Sequence, residues 1–464
     1  MNLRPVAALG LCSFLFSCAH AQSGPTPGSG SNAGLAAMPI SRQLELREGW
    51  LSVRHGQILE LMRRHKIAMW IVVNEEFHDD PLTQYIAPPR PYAGGRDLFV
   101  FADDGDKGLR KYAITGFAED NLLRFFESPE EFRKVKESIQ SVVLRHAPET
   151  IGLSIETKDY KPSRGVTRSL TKASYDFLAD ALGPKFEARF VPAAALIEDY
   201  LDTRLPAERE PYAALVKVTE ELTRRALSNE VITPGKTSVG DVRRWMFDRL
   251  GELGYTTWFQ PDMRVQRKGG AGALSRGFLA VAAESVVIER GDLLHIDFGL
   301  TSFGLNTDWQ KMGYVLREGE TDAPAGLKAL LANTNALQDS VTSLARPGRA
   351  SADVYDEVIA AMKKRSDEGV GQGRVPFVAK VYSHALGAQG HALGPSIDFR
   401  AAARKDPARP LRKGSYIAVE LNTSGPVPEW GGQEAFAMAE DPAELTEDGY
   451  RFFTPRQTAY YLIR

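Results

Sequence analysis

Asp297 stands in the middle of Gly291-Asp-Leu-Leu-His-Ile-Asp-Phe-Gly299, an apolar run bounded by glycines. A carboxylate buried in such a strand without a partner is costly. Asp308 follows in Leu305-Asn-Thr-Asp-Trp-Gln310, just ahead of the strand-like Met312-Gly-Tyr-Val-Leu316. Two strands joined by that short connection bring the carboxylates side by side, and like charges at such range need a cation between them or one proton. Farther on, Tyr382-Ser-His-Ala-Leu-Gly-Ala-Gln-Gly-His-Ala-Leu-Gly394 holds His384 and His391 among glycines that allow close backbone approach. Neutral imidazole is a frequent metal ligand. Glu420 lies in the apolar Tyr416-Ile-Ala-Val-Glu-Leu421, and Glu440 in Ala435-Phe-Ala-Met-Ala-Glu-Asp441. A hairpin turning around Glu429-Trp-Gly-Gly-Gln433 places those two acids across one ladder. Glu434 is the rival for that place, but the turn centres better for Glu440 and leaves Glu434 at the rim.

These residues need elements to position them. An amphipathic pattern through Leu46, Leu51, Ile58, Leu61 and Met62 predicts a helix over 42–64, feeding a buried strand over 67–73. Strands are expected at 98–102, 112–115 and 151–155, and helices near 129–146 and 169–182, an alternation that argues for an α/β domain over 41–205. From Glu208 the pattern changes to long helices, over 208–229 and 238–253, the second with Ser238 as N-cap and Asp241 at the third helical position. The segment Ile232-Thr-Pro-Gly-Lys-Thr-Ser-Val-Gly-Asp-Val242 has a partner in Ala345-Arg-Pro-Gly-Arg-Ala-Ser-Ala-Asp-Val354, one residue shorter. Each follows a long helix, the second over 324–344, and precedes another, so residues 206–464 read as a domain of two similar halves.

The 464 residues are 43% hydrophobic and 25% charged, an ordinary globular balance with room for two or three cores. A formal charge of −2 offers no basic excess for nucleic acid. Arg4, the apolar stretch Val6 to Phe16 and Ala19-His20-Ala21 read as a signal peptide over 1–21. A periplasmic or secreted protein is therefore expected. The alternative is an outer-membrane lipoprotein, since Leu15-Phe16-Ser17-Cys18 resembles a lipidation box and would anchor the chain at Cys18. Residues 22–40 read as a disordered tether rich in Gly, Ser, Pro and Ala, and no later run is long and apolar enough to span a membrane. Both cysteines, Cys12 and Cys18, fall in the leader, so a metal site must use His and carboxylates.

Asp297, Asp308, His384, Glu420 and Glu440, in that order, resemble the five metal ligands of the pita-bread metallopeptidases, the family of methionine aminopeptidase, Xaa-Pro aminopeptidase, prolidase and creatinase. The ten residues between the aspartates, the seven-residue step from His384 to His391, and Glu440-Asp441 followed by Thr446-Glu-Asp-Gly449 are similar to that family's motifs. The resemblance covers the chain from about residue 206 and extends more weakly over the N-terminal domain, which looks like the Xaa-Pro aminopeptidase and creatinase branch. It implies an α/β N-terminal domain beside a pita-bread α+β domain with a pseudo-twofold repeat. It also implies two divalent ions, with Mn first and Co or Zn as alternatives. Asp297 would then chelate one ion, Asp308 and Glu440 would bridge both, and His384 and Glu420 would complete the second. A hydroxide shared by the ions would attack the scissile bond, Glu420 would shuttle the proton, and His391 would hydrogen-bond the substrate or the developing charge. The implied partners are a small peptide and a second copy of the chain in a homodimer.

Three departures stand against the family pattern. Gly277-Phe-Leu-Ala-Val-Ala-Ala283 has no His where the family places one facing the substrate. Met438 occupies the position of an Arg, and Trp309-Gln310-Lys311 displaces the basic residue after the second aspartate. His295 shares a strand face with Asp297 and reads first as a packed or rim histidine, second as a replacement for the missing imidazole. The losses leave ion binding intact and weigh on turnover and Xaa-Pro specificity. Beside an exopeptidase, two further readings stand: a C–N hydrolase of a non-peptide amide or amidine, and a binding module on a degenerate peptidase scaffold. Pro234-Gly-Lys-Thr237 fails as a phosphate loop because Glu230 replaces the required Gly, and no Gly-x-Ser-x-Gly elbow supports a serine hydrolase. Trp258-Phe259 and Trp309 read as core or pocket wall.

Overall fold

The computed structural model describes residues 34–464 other than 79, 81, 90–93, 117–119, 130–133, 156–169, 271–273, 276–277 and 401–409. The expected leader, both cysteines and most of the tether lie outside the described residues. Among those residues no helix is long and apolar enough to cross a membrane.

The chain enters through helix α1 (Ile40–Arg64), whose Ile58, Leu61 and Met62 lie on one face and are buried. Strands β1 (Met69–Glu75), β2 (Arg96–Asp103) and β3 (Leu109–Ile114) form an antiparallel meander. Helix α2 (Val135–His146), strand β4 (Ile151–Leu153), helix α3 (Lys172–Leu182) and strand β5 (Phe190–Pro192) follow. β4 and β5 add in parallel, giving the order β3-β2-β1-β4-β5. The expected strands are thus present, and β1 is buried at six of its seven residues because helices cover both faces of the sheet. One face carries Trp70, Phe99 and Phe101 against α1; the other carries Ile71, Val100 and Ile114 against α2 and α3. Helix α4 (Ala194–Asp202) leads out.

Helices α5 (Arg209–Ala226) and α6 (Val239–Leu253) open the second region, and Ser238 and Asp241 make the expected reciprocal capping box. Strands β6 (Asp262–Gln266), β7 (Leu293–Phe298) and β8 (Trp309–Val315) pair antiparallel. Helices α7 (Ala325–Leu344) and α8 (Ser351–Gly371) then precede β9 (Val378–Leu386), β10 (Tyr416–Ala418), β11 (Leu421–Val427), β12 (Gln433–Ala439), β13 (Pro442–Thr446), β14 (Gly449–Phe452) and β15 (Tyr461–Ile463). β15 returns to the first half, giving β15-β8-β7-β6, while the second half runs β12-β11-β9-β10-β13-β14 with Ile397–Asp398 paired to β9.

The Pro-Gly repeat is structural. Gly235, at φ +77°, donates its N–H to Ile288 just before β7, and Gly348, at φ +84°, donates to Leu411 just before β10. Ser238 bridges Val287 and Ala350 bridges Pro410 in the same way. Thr219 of α5 pairs with Thr307 at 2.8 Å, and Thr334 of α7 pairs with Thr423 at 2.7 Å. Two helices thus back each half's strands, as a pseudo-twofold requires. The two sheets meet where Gln310 and Glu440 exchange backbone hydrogen bonds of 3.1 and 3.3 Å.

Candidate metal centre

Four of the five sequence-predicted ligands lie at the end or break of a strand, and His384 lies within one. Asp297 is the penultimate residue of β7, and Asp308 immediately precedes β8. The connection between them is longer in structure than expected, because residues 300–306 fold out as a small hairpin that pairs with Thr256–Thr257. The aspartates still meet: oxygens of Asp297, Asp308 and Glu440 lie within 4.8 Å of one another. His384 is on β9. The strand expected over 416–421 is interrupted, with β10 ending at Ala418 and β11 starting at Leu421, so Glu420 sits in the gap. Glu440 occupies the matching gap between β12 and β13. The hairpin register runs from Val427 opposite Gln433 to Leu421 opposite Ala439, so Glu420 and Glu440 face each other one step beyond. Glu434 lies opposite Pro426 near the turn, exposed and far from the cluster.

His384 is fully buried and its Nε2 lies 3.5 Å from Asp308, 3.8 Å from Glu420 and 3.2 Å from Glu440. Its Nδ1 donates to the carbonyl of Ala385 at 3.1 Å, which turns the Nε2 lone pair toward the three carboxylates. A lone pair and carboxylate oxygens converging at this range repel unless a proton or cation lies among them. Burial in the cleft, then the neighbouring Glu420 carboxylate, pushes Asp297 well above the usual carboxylate range, and Arg264 only partly offsets this. The donor set is oxygen-rich with one imidazole, suited to Mn, Co or Zn. The residues present therefore fit divalent ions.

His391 is exposed, and its ring stands edge-on to His384, with centroids 4.7 Å apart. Trp258 closes over it from the other side at 5.2 Å and donates its indole N–H to the carbonyl of Thr307, beside Asp308. A Cβ on Gly299 or Gly390 would collide with Trp258, so these glycines let the indole wedge into the site. Trp258 and the half-buried Phe259 are thus pocket wall, while Trp309 is entirely core.

The departures resolve differently. His295 is fully buried and bonds Gln310 at 2.9 Å, so it is a packed histidine and not a substrate group. Burial, then Arg264, lowers its pKa to about 3. Lys311 is buried, pairing with Asp441 at 2.7 Å and with the carbonyls of Gln310 and Glu440. Beside Met438, the guanidinium of Arg264 arrives from β6 and touches the Met438 sulfur at 3.7 Å. Sequence reasoning missed Arg264 and Gln310 because each reaches the site across a strand pairing; Gln310, two residues after Asp308, was the one legible signal. Of the segment 277–283, expected to lack a substrate histidine, residue 277 lies outside the described residues.

Residues 217–441 match the sequence model of metallopeptidase family M24. No curated protein sequence matches the chain. Among solved structures, the X-Pro aminopeptidase of Thermotoga maritima MSB8 superposes with a TM-score of 0.62 at 16% identity, over 87% of this chain and 99% of that one. The Xaa-Pro dipeptidase of Bacillus anthracis gives 0.62 at 15% identity, over 89% and 100%. The prolidase of Pyrococcus horikoshii OT3 gives 0.57 at 16%, over 87% and 98%. At such identities these likenesses speak for the fold alone, and it is the matched segment that carries the family. This chain has the pita-bread fold and carries a metallopeptidase domain of family M24 over residues 217–441.

Proposed function

We propose that this metallopeptidase is an exopeptidase that uses two divalent ions, Mn first, to hydrolyse short peptides at Xaa-Pro bonds outside the cytoplasm. One observation carries the reading: Asp297, Asp308, His384, Glu420 and Glu440 converge from separate strands of both halves on one small volume. Asp297 would hold the first ion, His384 and Glu420 the second, and Asp308 and Glu440 both. Ions bound there supply Lewis acidity, lowering the pKa of water and polarising a carbonyl.

The chain's own residues do the rest. Glu420, with a side chain 20% exposed, is placed to take a proton from attacking water and return it to the departing amine. His391 and Trp258 line the mouth, where the imidazole can donate to the substrate carbonyl and the indole can pack on a proline ring. Ala388 and Leu393, in the loop carrying His391, are buried in the apolar core of the N-terminal region, and the Tyr85 hydroxyl bonds the Ala388 carbonyl at 2.5 Å. A domain seated against that loop would restrict one side of the site, which favours cleavage near a chain terminus. Homodimer formation and export through the leader, with release to the periplasm rather than anchoring at Cys18, complete the proposal.

The test is metal content by mass spectrometry, paired with proline release from Xaa-Pro peptides in the presence of Mn2+. About two ions per chain with turnover is the expected result. Ions without peptide turnover would favour an amide or amidine substrate. Failure to bind ions after loading would sink the hydrolase mechanism and leave a binding scaffold.

A further inference from the structure

A neutral side chain lies among the five candidate ligands. Gln310 is 3% exposed and touches three of the five. Its backbone exchanges hydrogen bonds with Glu440. Its amide nitrogen donates to Asp297 Oδ2 at 3.3 Å and to Glu420 Oε1 at 3.1 Å. These two carboxylates come from opposite halves of the repeat, and nothing in the strand pairing links their side chains directly. An amide has two N–H donors, one for each.

That arrangement works only in one orientation. Were the amide reversed, its oxygen would face both carboxylates and repel them. His295 settles the matter from behind, since its Nε2 lies 2.9 Å from Gln310 Oε1. An amide oxygen can only accept, so the imidazole must carry its proton on Nε2 and donate. His295, Asp297, Gln310 and Met312 share one face of the β7–β8 pair, with His295 opposite Met312 and Asp297 opposite Gln310. The chain thus contains a relay of orientation: imidazole fixes amide, and amide fixes two carboxylates.

We propose that His295 and Gln310 form a positioning pair that sets the Asp297–Glu420 spacing for the ions. The proposal rests on the reading of the five residues as ion ligands. Groups one bond beyond a metal's ligands orient them, and their loss costs about 10- to 100-fold in affinity. Neither residue touches substrate; both act through Asp297 and Glu420.

Titration of metal-stripped full-length protein with Mn2+ by calorimetry tests this, with thermal unfolding as a control for folding. Gln310→Met, similar in length but without donors, should weaken Mn2+ binding about 10- to 100-fold. His295→Phe keeps the amide but removes what orients it, and should weaken binding less. His295→Gln, which returns an N–H to the place of Nε2, should restore most of that loss. In the Gln310→Met background, His295→Phe should cost nothing further, as expected for residues acting as a unit. Wild-type affinity in Gln310→Met, or additive losses in the double variant, would overturn the proposal. If Gln310→Met does not fold, equal affinities of His295→Phe and wild type would overturn it instead. A wild type that binds no Mn2+ would overturn the ligand reading itself, a distinct outcome.

Discussion

Among the described residues, two clusters of buried acids are treated in opposite ways. At the joint between the N-terminal region and the pita-bread region, Glu198, Asp199, Asp202 and Glu208 are all less than 8% exposed. Arginines meet them: Arg54 forks onto Glu208 at 2.6 and 2.9 Å, and Arg412 bonds Asp202 at 2.8 Å and also Asp199. Burial alone would raise Glu208, yet Arg204 and Arg54 together hold it below the usual carboxylate range. In the candidate metal centre, burial and Glu420 raise Asp297, Arg264 offsets this only in part, and the contacts include one imidazole and one amide. Acids given guanidinium partners hold a joint together. Acids crowded together without such a fork resist ionising together unless a cation arrives among them.

Breaking the second cluster should give the largest effect. Asp308→Asn removes a charge shared by both expected ion positions, and should cost three to four orders of magnitude in kcat/KM, on the order of 5 kcal/mol. Ion content should fall in parallel, with little change in far-UV circular dichroism. At the joint, Glu208→Gln should leave Arg54 buried against a neutral group and destabilise by about 4 kcal/mol. Denaturant unfolding should show that loss, while Mn2+ affinity per folded chain should stay the same. An Asp308→Asn variant that unfolds, or a Glu208→Gln variant that loses ions, would erase the distinction.

A smaller effect sharpens the comparison from the N-terminal side. His55 is buried among Phe101, Phe125 and Phe126, with Nε2 2.7 Å from the Ile86 carbonyl and Lys111 Nζ 3.1 Å from Nδ1. Burial, then Lys111, lowers its pKa to about 4. The unfolded chain therefore binds this proton more readily than the folded one. Stability from this group is intact above pH ~6.5 and falls as pH drops from there toward ~4, by up to about 3 kcal/mol. His55→Phe should flatten that part of the pH–stability curve in calorimetry. The smallest effect belongs to the surface: Lys363→Ala breaks an exposed pair with Asp367 on α8 and should change stability by less than about 0.5 kcal/mol.

Much of the fold was legible because it depends on local periodicity. β-branched and aromatic runs gave β1 and β2, and the Pro-Gly-Ser signal gave both halves of the repeat and the Ser238–Asp241 cap. Less legible were the interruptions. Nothing local says that a strand stops at Ala418 and another starts at Leu421, since Tyr416 to Leu421 reads as one apolar run. The break arises because β10 pairs with β13 while β11 pairs with β12, and Glu420 falls where the partner changes. The hairpin over 300–306 was hidden for a related reason: its pairing partner, Thr256–Thr257, lies more than forty residues upstream.

The amino-acid sequence by itself determined the kinds of candidate ligand, their order and the hairpin that favours Glu440 over Glu434, because turn centres and strand alternation act over a few residues. It also determined that no thiolate takes part in a site within residues 206–464, since both cysteines lie in the first eighteen residues. Only the tertiary structure decided that Gln310 lies between Asp297 and Glu420, that His295 serves the amide rather than the substrate, and that Arg264 stands beside Met438. Those facts depend on register between strands from different parts of the chain, and on the closure of two half-domains against each other. Neither leaves a period or a spacing in the sequence, because the free energy that sets them comes from burying both sheets at once.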